Sequence, residues 1–152
     1  MNTLPTTLEG GCHCGAVRYR IAGHPFHLTL CHCAICRRVS GAPAVAWFTV
    51  PCPAFTIIRG APQRYRSSDA ASRSFCSHCG TPLGFDFLEG GTNIDITVGS
   101  FDDPTPFRPK HNYAVESMLE AWADVRHLPG MTSAENANVV ERWKQVGLEP
   151  PE

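Results

Sequence analysis

The chain has 152 residues, 43% hydrophobic and 18% charged, which suits one domain with a sizeable core and leaves little room for a second. A formal net charge of -1 provides no global field for nucleic acid or an anionic membrane, and no basic run interleaved with aromatics is present. Apolar stretches such as Ala42 to Val50 fall far short of a bilayer span, and Met1 to Pro5 lack the basic start and apolar run of a secretory signal, so a soluble cytoplasmic protein is expected.

Taken in chain order, the pattern is mainly short β-strands punctuated by Gly, Pro, Ser and Asp. Strands are expected over Ala16–Ile21, Phe26–Leu30, Val45–Val50, Phe55–Arg59, Gln63–Arg66, Arg73–Phe75, Leu83–Phe87, Asn93–Val98 and Asn112–Glu116. Ala16–Ile21 and Asn93–Val98 alternate apolar and polar residues, as half-buried strands do. A short helix is expected over Ala34–Ser40, ended by Gly41 and Pro43. Near the C-terminus, Thr132 and Glu135 have capping-box spacing, followed by Val139, Trp143 and Val146 at helical intervals and Gly147 as a stop. These readings give one domain over residues 8–130, with a C-terminal helix and tail over 131–152 packing on it.

The eight cysteines are the informative feature. An even number suits disulfides, but an unexported chain disfavours them, and the C-x-C and C-x-x-C clusters suit chelation better than cross-linking distant segments. One cluster is Cys12-His13-Cys14, just before a strand; another is Cys76-Ser77-His78-Cys79, in a turn. Each supplies two ligands, whereas structural zinc takes four in a tetrahedron, so joining the pairs completes a tetrathiolate site.

The remaining cluster, Cys31-His32-Cys33-Ala34-Ile35-Cys36, can grip one face of an ion with three thiolates. Three protein ligands plus a position for water or substrate is the usual composition of catalytic zinc. His13, His32, His78 and Cys52 are candidates to close that position instead. Two zinc ions are therefore expected, one structural on Cys12, Cys14, Cys76 and Cys79 and one catalytic on Cys31, Cys33 and Cys36.

Together these residues resemble the family of glutathione-dependent formaldehyde-activating enzymes, a domain also found in the centromere protein V family. The resemblance rests on Gly11–Arg18, Cys31–Arg38 and Phe75–Thr81, with Val98–Pro104, His111–Trp122 and Leu128-Pro129 matching its later segments. Around Trp122 the family wording has a Lys and a Pro, where this chain has Ser117–Ala121. The resemblance implies a mainly β, zinc-stapled, Mss4-like fold with a short helix at the metal loop, and the same division of cysteines between two zincs.

It also implies a carbon–sulfur lyase-type activity that joins glutathione, or a similar small thiol, to an aldehyde such as formaldehyde. The alternatives are a non-catalytic zinc-stabilised binding module and a thiol- or metal-sensing module. Glutathione's carboxylates call for arginine partners; Arg37, Arg38, Arg64, Arg66 and Arg73 are available, although each alone reads as a solvated surface charge. His32 suits loop orientation or proton transfer, and Phe26, Trp47, Phe48, Phe85 and Phe87 read as core rather than pocket lining.

Overall fold

The computed structural model describes residues 7–24 and 27–149. The chain divides after Leu119 into two compact units. In the first, β1 (Thr7–Gly11), β2 (Arg18–Ala22) and β5 (Phe55–Arg59) form an antiparallel sheet in the order β1-β2-β5. A larger sheet contains β3 (His27–Cys31), β4 (Val45–Pro51), β6 (Gln63–Arg66), β7 (Ala71–Phe75), β8 (Pro82–Phe87), β9 (Asn93–Thr97) and β10 (His111–Tyr113). Its order is β10-β3-β4-β9-β8-β7-β6, antiparallel throughout except where β10 runs parallel to β3. The short helix α1 (Ala34–Ser40) follows β3.

Strand alternation decides which residues meet the core. In β2, Tyr19 and Ile21 are buried while Arg20 is exposed. In the larger sheet Leu28, Phe48, Val50, Ile94 and Ile96 join the same core cluster, where the Phe48, Phe101 and Phe107 rings lie with centroids 4.8–5.0 Å apart. Burying this aromatic surface stabilises the unit. The Tyr19 hydroxyl meets Ser100 Oγ at 2.8 Å, so the buried phenol keeps a partner, and burial pushes its pKa up.

Because successive strand side chains alternate between faces, the odd-numbered neighbours of these core residues share the other face. The register sets His27 opposite Thr49, Thr49 opposite Asp95, Asp95 opposite Phe85, Phe85 opposite Arg73, and Arg73 opposite Tyr65. One row of cross-strand neighbours thus runs across β3, β4, β9, β8, β7 and β6.

The mainly β expectation is met, with differences of detail. β1 was not expected; its two glycines hide any alternation, and it exists by pairing with β2 and through the Gly10–Phe101 bridge. The expected strand from Phe26 begins outside the described residues, and β3 starts at His27. The expected strand from Ala16 starts only at Arg18, because Cys12–Val17 form a turn, and Val98 leaves β9 for a 3-10 turn. The strand expected to reach Glu116 stops at Tyr113, since Ala114 is left-handed at φ 56° and Val115–Ser117 form a 3-10 turn.

In the second unit, Thr132 and Glu135 make both bonds of the capping box, but around a single 3-10 turn, Ser133–Glu135. Helix α2 (Ala137–Gln145) starts afresh with the Asn136 side chain accepting from the Val139 amide. Among the described residues no helix is long and apolar enough to cross a membrane.

Candidate metal centres

Cys12 and Cys14 lie on the turn joining β1 to β2, and Cys76 and Cys79 on the turn joining β7 to β8. Both turns are built alike. The Gly15 amide donates to the Cys12 carbonyl and the Gly80 amide to the Cys76 carbonyl, with each glycine at φ 74–76°. That left-handed backbone is cheap only for glycine, which explains the Gly after each cysteine pair. A bond of 3.1 Å from the His13 amide to Thr81 Oγ1 joins the turns.

The four sulfurs all lie within 4.8 Å of one another, with Cys12–Cys14 at 3.5 Å and Cys14–Cys76 at 3.8 Å. A disulfide would need about 2.05 Å. Zinc–sulfur bonds of about 2.3 Å in a tetrahedron give sulfur–sulfur edges of about 3.8 Å. All eight cysteines are free thiols, and these four fit a tetrathiolate ion. The Thr81 hydroxyl, 3.1 Å from Cys79 Sγ, brings that thiol down to about 5, so one donor readily ionises.

Cys31 ends β3, Cys33 caps α1, and Cys36 lies inside the helix with its amide donating to Cys33 Sγ at 3.3 Å. The three sulfurs lie within 4.8 Å of one another, and among the described residues no fourth His, Cys, Asp or Glu joins them. Burial pushes the Cys31 thiol up to about 12, so a cation must displace its proton to bind. Of the residues considered for closure, His13, His78 and Cys52 are exposed and outside both clusters. His32 is buried, with Nε2 3.1 Å from Asn112 Oδ1 and its amide donating to the Tyr113 carbonyl, so it ties the cysteine loop to β10.

Beside the three-cysteine centre lies a cavity of about 480 Å³, lined by Cys31, Cys33 and Cys36 together with Trp47, Arg73 and Asp95, among others. Asp95 accepts from Thr49 Oγ1, and burial, with Thr49, His27 and Arg73 opposing, leaves its carboxyl above the usual range. The sequence reading missed Asp95 and Thr49. Asp95 sits between Ile94 and Ile96, and alternation alone marks it as facing away from the core.

Two further expectations are corrected. Arg73 is no surface charge: it is 6% exposed, its Nη2 donates to Cys36 Sγ at 3.3 Å, and its guanidinium lies over Trp47 and Phe85 at 5.6 and 5.0 Å. The other arginines are engaged elsewhere or exposed: Arg37 Nη1 donates to the Ser117 carbonyl, Arg64 pairs with Asp86, Arg66 with Asp69, and Arg38 faces solvent. Phe85 and Phe87 line the cavity rather than the main core, Trp47 lines it from a second buried cluster with Cys31, Cys36 and Val45, and Phe48 is core as expected.

A mainly β unit with two cysteine centres able to hold metal ions, one of them beside a cavity, defines the class of protein. The chain belongs to the glutathione-dependent formaldehyde-activating enzyme family, whose model matches residues 7–117. It is 34% identical to a Halomonas elongata protein named "Putative glutathione-dependent formaldehyde-activating enzyme", over 78% of this chain and 80% of the relative. It is also 33% identical to an uncharacterized lyase of Schizosaccharomyces pombe, over 61% of this chain and 67% of that one. A crystal structure of a Rhodobacter sphaeroides protein shares the fold, with a TM-score of 0.56 at 23% identity, over 69% of this chain and 99% of that one.

Proposed function

We propose that the chain is a zinc-dependent carbon–sulfur lyase-type enzyme that joins or splits a small thiol such as glutathione and an aldehyde such as formaldehyde. The observation that carries this reading is the cavity flanking Cys31, Cys33 and Cys36, whose donor set has no fourth protein member among the described residues. Family membership and the names of the relatives support glutathione, formaldehyde and lyase chemistry. A zinc ion on the trio would supply a place for the incoming sulfur and favour its thiolate form. Cys12, Cys14, Cys76 and Cys79 would hold the structural ion.

The chain's own residues supply the rest. Forming the adduct makes one carbon–sulfur bond and moves the thiol proton to the aldehyde oxygen; splitting reverses both. Asp95 is the one carboxyl among the described lining residues, and its raised proton affinity suits it to hold that proton on an Oδ. Trp47 and Phe85 give this part of the cavity apolar walls that limit water. Arg73 brings positive charge to the side where sulfur would bind.

Exchange between glutathione, formaldehyde and their adduct, followed by NMR, tests the reading. The zinc-loaded protein should accelerate exchange, Cys33→Ser should abolish the acceleration, and Asp95→Asn should cut it by about 10²-fold or more. No acceleration by the wild type would refute the proposal and favour the sensing alternative.

A further inference from the structure

Arg73 presents an electrostatic problem. Its guanidinium is buried, its Nε–H has no hydrogen-bond partner, and among the described residues no carboxylate forms an ion pair with it. A buried cation left this way is costly, and the faces of Trp47 and Phe85 compensate only in part. Asp95, two strands away in the same cross-strand row, is already engaged by Thr49. Among the described residues, the one polar group that the Arg73 guanidinium reaches by a hydrogen bond is Cys36 Sγ, at 3.3 Å.

We propose that Arg73 is the counter-ion of the three-cysteine centre, a positioning residue that offsets the charge of a metal–tris-thiolate group through Cys36 and thereby admits an anionic fourth ligand. This rests on the reading that the trio binds a divalent metal. Three thiolates on such an ion leave one negative charge, and an incoming thiolate makes two. The guanidinium returns that total to one, whereas a neutral fourth ligand gains little from it. A hydrogen bond into the Cys36 sulfur also withdraws electron density that the sulfur would otherwise give the metal, countering the blunted Lewis acidity of an all-sulfur donor set.

Cobalt(II) loading of the full chain tests this, comparing the wild type with Arg73→Met and Arg73→Lys, and using 2-mercaptoethanol and imidazole as anionic and neutral probes. In Arg73→Met the sulfur-to-cobalt charge-transfer band of the second centre should move to lower energy. Cobalt in that centre and 2-mercaptoethanol should each bind about 10- to 100-fold more weakly, the worth of a hydrogen bond to a charged group, with imidazole changed by less than about threefold. Arg73→Lys, which keeps the charge, should retain the preference for 2-mercaptoethanol over imidazole.

Equal losses for both probes, or an unshifted band with unchanged affinities, would overturn the proposal, as would loss of the preference in Arg73→Lys, which also decides the matter should Arg73→Met fail to fold. A wild type that takes up only one cobalt per chain would instead refute the underlying metal reading, and the proposal with it.

Discussion

Removing two sulfurs from each centre separates fastening from chemistry. Cys12 and Cys14 are the donors that the β1–β2 turn gives the first centre, so Cys12→Ser with Cys14→Ser takes that turn off the ion, whereas either change alone leaves three thiolates, as many as the second centre holds. Cys14 and Cys76 are 62 positions apart, and a metal joining them closes a loop of that length. Loop-closure entropy alone then assigns the cross-link about 4 kcal/mol. Full zinc affinity in finger peptides reaches about 10–16 kcal/mol, so the entropic figure is a floor.

The trio spans only Cys31 to Cys36, and closing five positions is worth about 2 kcal/mol by the same relation. Urea unfolding of the zinc-loaded protein should therefore show Cys12→Ser with Cys14→Ser losing at least about 4 kcal/mol, enough to unfold many domains outright, and Cys31→Ser with Cys33→Ser about half as much. A strong chelator should reproduce the larger loss. Equal effects of the two double substitutions, or a chelated protein as stable as the loaded one, would refute the division into a fastening site and a working site.

Phe48 is fully buried against Phe101 and Phe107, so Phe48→Ala should cost about 3–5 kcal/mol in urea unfolding; a cost below about 1 kcal/mol would mean the ring cluster is not the main core. Arg18 grips Asp102 in two hydrogen bonds and holds its carboxyl below the usual range. The stabilisation is present above the unfolded carboxyl value of about 3.9 and is lost as pH falls through the lower folded value. Because Asp102 is half exposed, Asp102→Asn should cost less than about 1 kcal/mol at pH 7, and the difference from wild type should shrink by about pH 3. A difference that grows in acid would contradict that sign.

The two cysteine clusters that could hold a metal were legible because chelating patterns are local: C-x-C and C-x-x-C spacings survive without knowledge of the fold. Helix α1 was equally local, with Gly41 in the left-handed conformation closing it where expected. Arg73 was not legible. Within Ala-Ser-Arg-Ser-Phe it looks like an ordinary surface residue, and its burial comes from Trp47 and Phe85, which reach it through strand pairing rather than neighbourhood in the chain. β1 was hidden for the same reason, since only its partners make it a strand. The C-terminal capping box was read correctly as chemistry, yet Asn136 and not Thr132 begins α2, because a second capping residue lies one turn further on.

The line of facing residues from Tyr65 to His27 ties reactivity to alignment. A slip of β9 by one position would turn Asp95 inward to the aromatic core and Ile94 or Ile96 outward to the cysteines, and a slip of β4 would exchange Thr49 for Phe48 or Val50 in the same way. The working surface and the oily interior are front and back of one woven cloth. A variant that misweaves it exposes the interior and withdraws Asp95 and Thr49 from the cavity in one step.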